Sequence, residues 1–140
     1  MPLRPLVFAL LSSLLIGAGL RAAPEAEPTV RRIVDAPIIT GDMLPGEDGA
    51  SINGPSLIRV PDWVEQPLGR YYLYFSHHAG KYLRLAYADR LEGPWKIAPG
   101  GVLALDAQAT VTDHIASPQV VVDESKRRFY LYYHGVNPAP

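Results

Sequence analysis

Apolar and polar positions change rhythm twice along the chain. Residues 6–20, LVFALLSSLLIGAGL, form an uncharged apolar run. Residues 24–51 then lose any sustained period. PEAEPTVRR reads as a polar tether, and IVDAPIIT (residues 33–40) reads as a short strand. GDMLPGEDGA (residues 41–50) reads as a solvated loop carrying Asp42, Glu47 and Asp48. From residue 54 onward, short β-prone runs alternate with turn residues. GPSLIRV (54–60), RYYLYFSHH (70–78), YLRLAYA (82–88) and WKIA (95–98) are predicted as four strands, separated by PDWVEQPLG, HAGK and DRLEGP. Gaps of hairpin length predict an up-and-down antiparallel sheet.

The second strand is apolar on both sides. Side chains alternate faces along a strand, so Tyr72, Tyr74 and Ser76 share one face and Tyr71, Leu73, Phe75 and His77 share the other. A sheet with one wet face would alternate polar with apolar. Both faces of this strand are therefore expected to be covered. After a crossing segment, PGGVLALDAQATVTD, the pattern returns. SPQVVVD (117–123) takes the place of GPSLIRV, and RFYLYYHG (128–135) takes the place of RYYLYFSH, with Pro118 matching Pro55. A repeat of about 60 residues built of four-stranded units is the sequence sign of a β-propeller.

Composition narrows the context. The chain has 140 residues, 48% of them hydrophobic, with 14 prolines and 12 glycines, which favours a turn-rich β fold. A formal charge of −1 offers no basic excess for nucleic acid. With no cysteine, disulfides, thiolate metal sites and a cysteine nucleophile are excluded. The leading apolar run, preceded by Arg4 and followed by RAAPEA, has the form of a secretory signal peptide over residues 1–23. It is short for a membrane span, which takes about 20 residues. An exported bacterial protein, periplasmic or secreted, is expected, with no stable membrane insertion after cleavage.

GPSLIRVPD, GRYYLYFS and LRLAYADRLEGPWKI together resemble the first blade of the five-bladed propeller glycosidases of glycoside hydrolase family 43. AYADRLEGPW (86–95) is the most specific part, through Leu91, Gly93, Pro94 and Trp95. ASPQVVVDESKRRFYLYYHG resembles the second blade. The resemblance implies an all-β fold of antiparallel four-stranded blades in an incomplete five-bladed propeller. Blade 1 would span about residues 54–98 and the start of blade 2 about 115–136, within a region 52–140 that follows an irregular segment, 24–51. Five such blades need about 300 residues, and fewer than 120 follow the signal segment. The chain is accordingly expected to be an N-terminal fragment, or else a short chain that self-associates through unpaired blade edges.

The resemblance also implies an activity and shows where this chain departs from it. The family's hydrolysis uses an Asp base before the "PS" of blade 1 and a second Asp at the matching place in blade 2. Its general acid is a Glu from a later blade. Those first two positions are Gly54 and Ser117 here. The expectation is a secreted family 43-like propeller acting on carbohydrate with an altered catalytic set, this chain alone being inactive. The alternative is a non-catalytic carbohydrate-binding or scaffold propeller. No catalytic residue is identified. Asn53, His78, Asp113 and His114 are the candidates for contacting a carbohydrate. Asn53 adjoins the first vacant position, His78 lies in a turn beside Gly80, and Asp113 and His114 precede an inner strand, where propellers face their central cavity. His77 reads as packed or capping, and His134, in register with Ser76, as structural. No metal and no cofactor is expected of these residues, since the four histidines lack ligand spacing. A calcium ion would belong only to a complete propeller.

Overall fold

The computed structural model describes residues 28–137; the signal segment, 1–23, lies outside them. Seven strands form two antiparallel sheets. Strands β1 (Asn53–Arg59), β2 (Tyr71–Ser76), β3 (Tyr82–Ala88) and β4 (Lys96–Ile97) run in that order, and β5 (Leu103–Ala104) also pairs with β3. Strands β6 (Thr112–Asp123) and β7 (Arg128–Val136) form a separate hairpin. Short 3-10 turns at Gly41–Met43, Gly46–Ala50 and Leu105–Ala107 are the only helical elements among the described residues. None is long and apolar enough to cross a membrane. The all-β class expected from the sequence holds. The two sheets do not close into a ring among these residues.

The doubly apolar second strand lies at the centre of the molecule. Leu73 and Phe75 point to one side of the first sheet, where they pack with Ala86, Ala88, Trp95, Ile39 and Leu44. Tyr72 and Tyr74 point to the other side and pack with Ile58, Val60, Leu85 and Val120. The hairpin covers this second side, through Val122, Phe129 and Leu131. Each fully buried large side chain contributes roughly 1.5–3 kcal/mol relative to exposure, and Phe75 is 1% exposed.

The segment before β1 corrects two expectations. IVDAPIIT is not a strand. Pro37 removes a ladder donor, and Ile38 and Ile39 instead press onto the Phe75 face. Nor is the acidic loop wholly solvated. Asp48 accepts a hydrogen bond from the Tyr82 hydroxyl at 2.6 Å and pairs with the Arg84 guanidinium at 3.3 Å. Arg84 is 1% exposed, and a charge buried that deeply needs an acid partner. Segment 38–51 therefore lines one face of the first sheet as the hairpin lines the other.

The repeat is exact at the level of register. On β1, Asn53 pairs with Ser76 and Ser56 with Tyr74, so one extra residue bulges between them. On β6, Ala116 pairs with His134 and Gln119 with Tyr132, which gives the same bulge. Pro55 and Pro118 sit inside the two bulges, where a missing N–H does no harm. Ser76 and His134 occupy equivalent places, as their spacing in the sequence predicts. The LEGPW stretch also proves structural. Gly93 has φ +94°, and Trp95 is buried and donates from Nε1 to the Leu91 carbonyl at 3.1 Å.

Two outcomes test this account. Burial, and then the Tyr72 charge, push the Tyr74 phenol from its ordinary 10.0 to about 12. A raised phenol pKa favours the neutral form in the fold. Its contribution to stability is whole below about pH 10 and is lost as pH rises through 12. Urea midpoints should fall over that window, and Tyr74→Phe should flatten the fall. Asp48→Ala leaves Arg84 buried without a counter-charge and should cost about 1–2 kcal/mol in urea unfolding.

Candidate functional site

Two bulged strands meet at the place where the resemblance puts its carboxylates. Gly54 has φ +58° and Ser117 φ +50°. A Cβ on Gly54 would fall 2.7 Å from the Ser117 Cα. The backbones touch, so no side chain fits between them. The contact is fixed by two hydroxyls of the first sheet. Ser76 Oγ accepts from the Ser117 N–H at 3.0 Å, and Ser56 Oγ accepts from the Val120 N–H at 3.0 Å. Both serines are buried. The vacant positions therefore offer backbone groups and one hydroxyl, and nothing that titrates.

The four sequence candidates fall into two pairs. Asn53 donates from Nδ2 to Ser51 Oγ at 2.6 Å, and the His78 backbone N–H donates to the same oxygen at 3.3 Å. Both residues are exposed. In the second pair, Asp113 Oδ2 lies 3.0 Å from His114 Nδ1. Asp113 is at φ +67°, in a wider bulge between Thr112 and Ile115. The hydrogen bond with His114 holds the Asp113 carboxyl below the usual aspartate range against desolvation, helped by the Lys81 and His114 charges. The Lys81 ammonium donates to the Asp113 carbonyl oxygen. His134 stands edge-on to His114, ring centroids 5.7 Å apart. The Ile115 N–H donates to the Gly80 carbonyl at 3.0 Å, which brings the His78 turn against β6. No hydrogen bond joins one pair to the other among the described residues. His77 caps its own turn, Nδ1 accepting from the Ala79 N–H at 3.0 Å.

The structure adds a feature that the sequence reading missed. A pocket of about 680 Å³ opens beside Asp113, lined also by Lys81, Tyr82, Leu105, Asp106 and Thr112. Tyr82 is the wall residue tied to Asp48. Burial and then the Asp48 hydrogen bond raise its phenol pKa above 10.0. One signal in the sequence pointed here: Arg84, a lone charge inside YLRLAYA, in a sheet buried on both faces, requires an acid from elsewhere in the chain. Among the described residues, no group of three or more His, Cys, Asp or Glu side chains is placed to hold a metal ion.

No family model matches the chain, and no solved structure matches it. It is 34% identical over 104 residues to "Uncharacterized protein R118" of Acanthamoeba polyphaga mimivirus, the match covering 63% of this chain. The chain spans 29% of that relative's length.

Substitution at the seam should separate the two bulges. Gly54→Ala forces a Cβ into the Ser117 backbone at a left-handed φ and should cost about 2–4 kcal/mol. Ser117→Gly relaxes the same φ with no loss of contact and should leave thermal stability within about 0.5 kcal/mol of the parent, or raise it. Differential scanning calorimetry of both variants reads the contrast.

Proposed function

We propose that this chain is an exported carbohydrate-binding element of propeller-blade construction that does not hydrolyse sugars by the two-carboxylate route. The resemblance to family 43 blades supplies the carbohydrate. The seam supplies the loss of hydrolysis. Hydrolysis of that kind needs one group to activate water and another to protonate the leaving oxygen. Where the family carries its first two aspartates, Gly54 and Ser117 stand in backbone contact. An aspartate at 54 would have to displace β6.

A second reading has one observation in its favour. A carboxylate that holds one imidazole nitrogen leaves the other free as a base, and Asp113 stands in that relation to His114. An enzyme with a substituted base would use this pair.

Turnover separates the two. Incubated with aryl arabinosides and xylosides, the purified chain should release no chromophore. It should still bind neutral pentose oligosaccharides, read by line broadening in ligand-observed NMR. Chromophore release that disappears in His114→Ala would replace the binding reading with the enzymatic one.

A further inference from the structure

We propose that the Tyr82 ring is a fixed stacking platform for one neutral sugar ring, and that Asp48 and Arg84 are its positioning residues. The inference rests on the carbohydrate reading above and places the ligand in the pocket beside Asp113, away from the Gly54–Ser117 seam.

Two contacts hold Tyr82, and two more fix their partners. Its hydroxyl donates to Asp48 Oδ2 at 2.6 Å. Asp48 Oδ1 in turn takes the Arg84 guanidinium at 3.3 Å, and Arg84 also donates to the Ser51 carbonyl at 3.0 Å. The Arg84 Cζ lies over the Tyr82 ring, 5.4 Å from its centroid. A cation over an aromatic face fixes the plane of the ring, and the phenol hydrogen bond fixes rotation within that plane. Tyr82 is only half-buried and lines the pocket. Sugar rings present a patch of C–H groups on one face and hydroxyls around the rim. A held aromatic surface suits the first, and polar side chains at the edge suit the second.

The rim carries what the hydroxyls need. Thr112, Asp106, Asp113 and Lys81 line the same pocket. Lys81 is bonded to the Asp113 carbonyl and Asp113 to His114. Asp106 has no hydrogen-bond or ion-pair partner among the described residues, which leaves it free to accept from a ligand hydroxyl. Leu105, Ala104 and Val111 add apolar lining. A volume of about 680 Å³ falls within the range of small-ligand sites.

The arrangement also couples the segment before β1 to the pocket. Asp48 belongs to the turn Gly46–Ala50, and its carboxylate is the link between that turn and the wall. Weakening the link should loosen the wall while the sheet stays intact.

Two-dimensional amide NMR of the full chain, titrated separately with xylotriose and arabinotriose, tests this. At least one sugar should shift the amides of residues 81–82, 105–106 and 112–113, with those of 54 and 117 unmoved. Tyr82→Phe keeps the ring and loses the tether; it should weaken binding about threefold. Tyr82→Ala should weaken it at least tenfold, and Asp48→Asn about as much as Tyr82→Phe, each variant first shown to be folded by its own spectrum. If neither sugar shifts any amide, the carbohydrate reading and the platform both fail. If a sugar binds but its shifts centre on residues 53, 54, 78 and 117, or Tyr82→Ala binds like the parent, the platform is overturned and the carbohydrate reading stands.

Discussion

The structure depends on two serine hydroxyls that receive backbone N–H groups across a sheet-to-sheet seam. A bulge frees the residues within it from the ladder, and a buried N–H left without a partner is costly. β6 is bulged between Ala116 and Gln119, and the N–H groups at and just beyond that bulge, from Ser117 and Val120, find Ser76 and Ser56 on the facing sheet. Both acceptors belong to the first repeat and both donors to the second. Hydrogen bonds of this kind specify register more than they add stability. Here they set how closely the inner strands approach, and the approach leaves no room for a side chain at residue 54.

The opposite face of the first sheet is held differently. A repeat of the hairpin would supply hydrophobic side chains from a regular strand. Segment 38–51 supplies Ile39, Leu44 and a carboxylate instead. Arg84 meets that carboxylate from beneath, among Phe75 and Tyr82. Among the described residues its Nε has no hydrogen-bond partner, so the cation depends the more on Asp48 and the Ser51 carbonyl. Packing alone would leave segment 38–51 weakly registered. The ion pair fixes which residue of the turn lies over which residue of the strand. A central sheet with a regular neighbour on one side and an irregular one on the other is thereby covered on both.

The fold was legible where sequence period and burial agree. YLRLAYA reads as a strand and is β3 to the residue. Two-sided apolarity in RYYLYF correctly required two coverings. The reading failed where tertiary contact overrides local preference. IVDAPIIT has strand composition but no strand neighbour, so it packs as irregular chain. WKIA shrinks to the pair Lys96–Ile97, because Trp95 turns into the core. β6 starts at Thr112, five residues before the apolar run at 117, because bulges let Asp113 and His114 join the strand without obeying its alternation. The candidate site was legible only in part. Asp113 and His114 stand out in the sequence by their place before SPQVVVD, and the structure hydrogen-bonds them to each other, with Asp113 beside the pocket. The pocket wall did not stand out, since Tyr82 in an aromatic strand and Asp48 in a loop look ordinary until Arg84 joins them.

The same contrast bears on what the family resemblance can carry. Its most specific stretch, AYADRLEGPW, is spent on packing. Ala86 and Ala88 are buried, Trp95 fills the Phe75 side, and Gly93 makes the turn that lets the indole reach the Leu91 carbonyl. Residues selected for packing testify to architecture and are silent on chemistry. The positions that would testify to chemistry, 54 and 117, are those that depart. Their difference from the family 43 pattern goes with the close seam, where a side chain at residue 54 would meet the Ser117 backbone. The cavity with polar side chains on its wall lies where β3, the turn Leu105–Ala107 and the start of β6 meet.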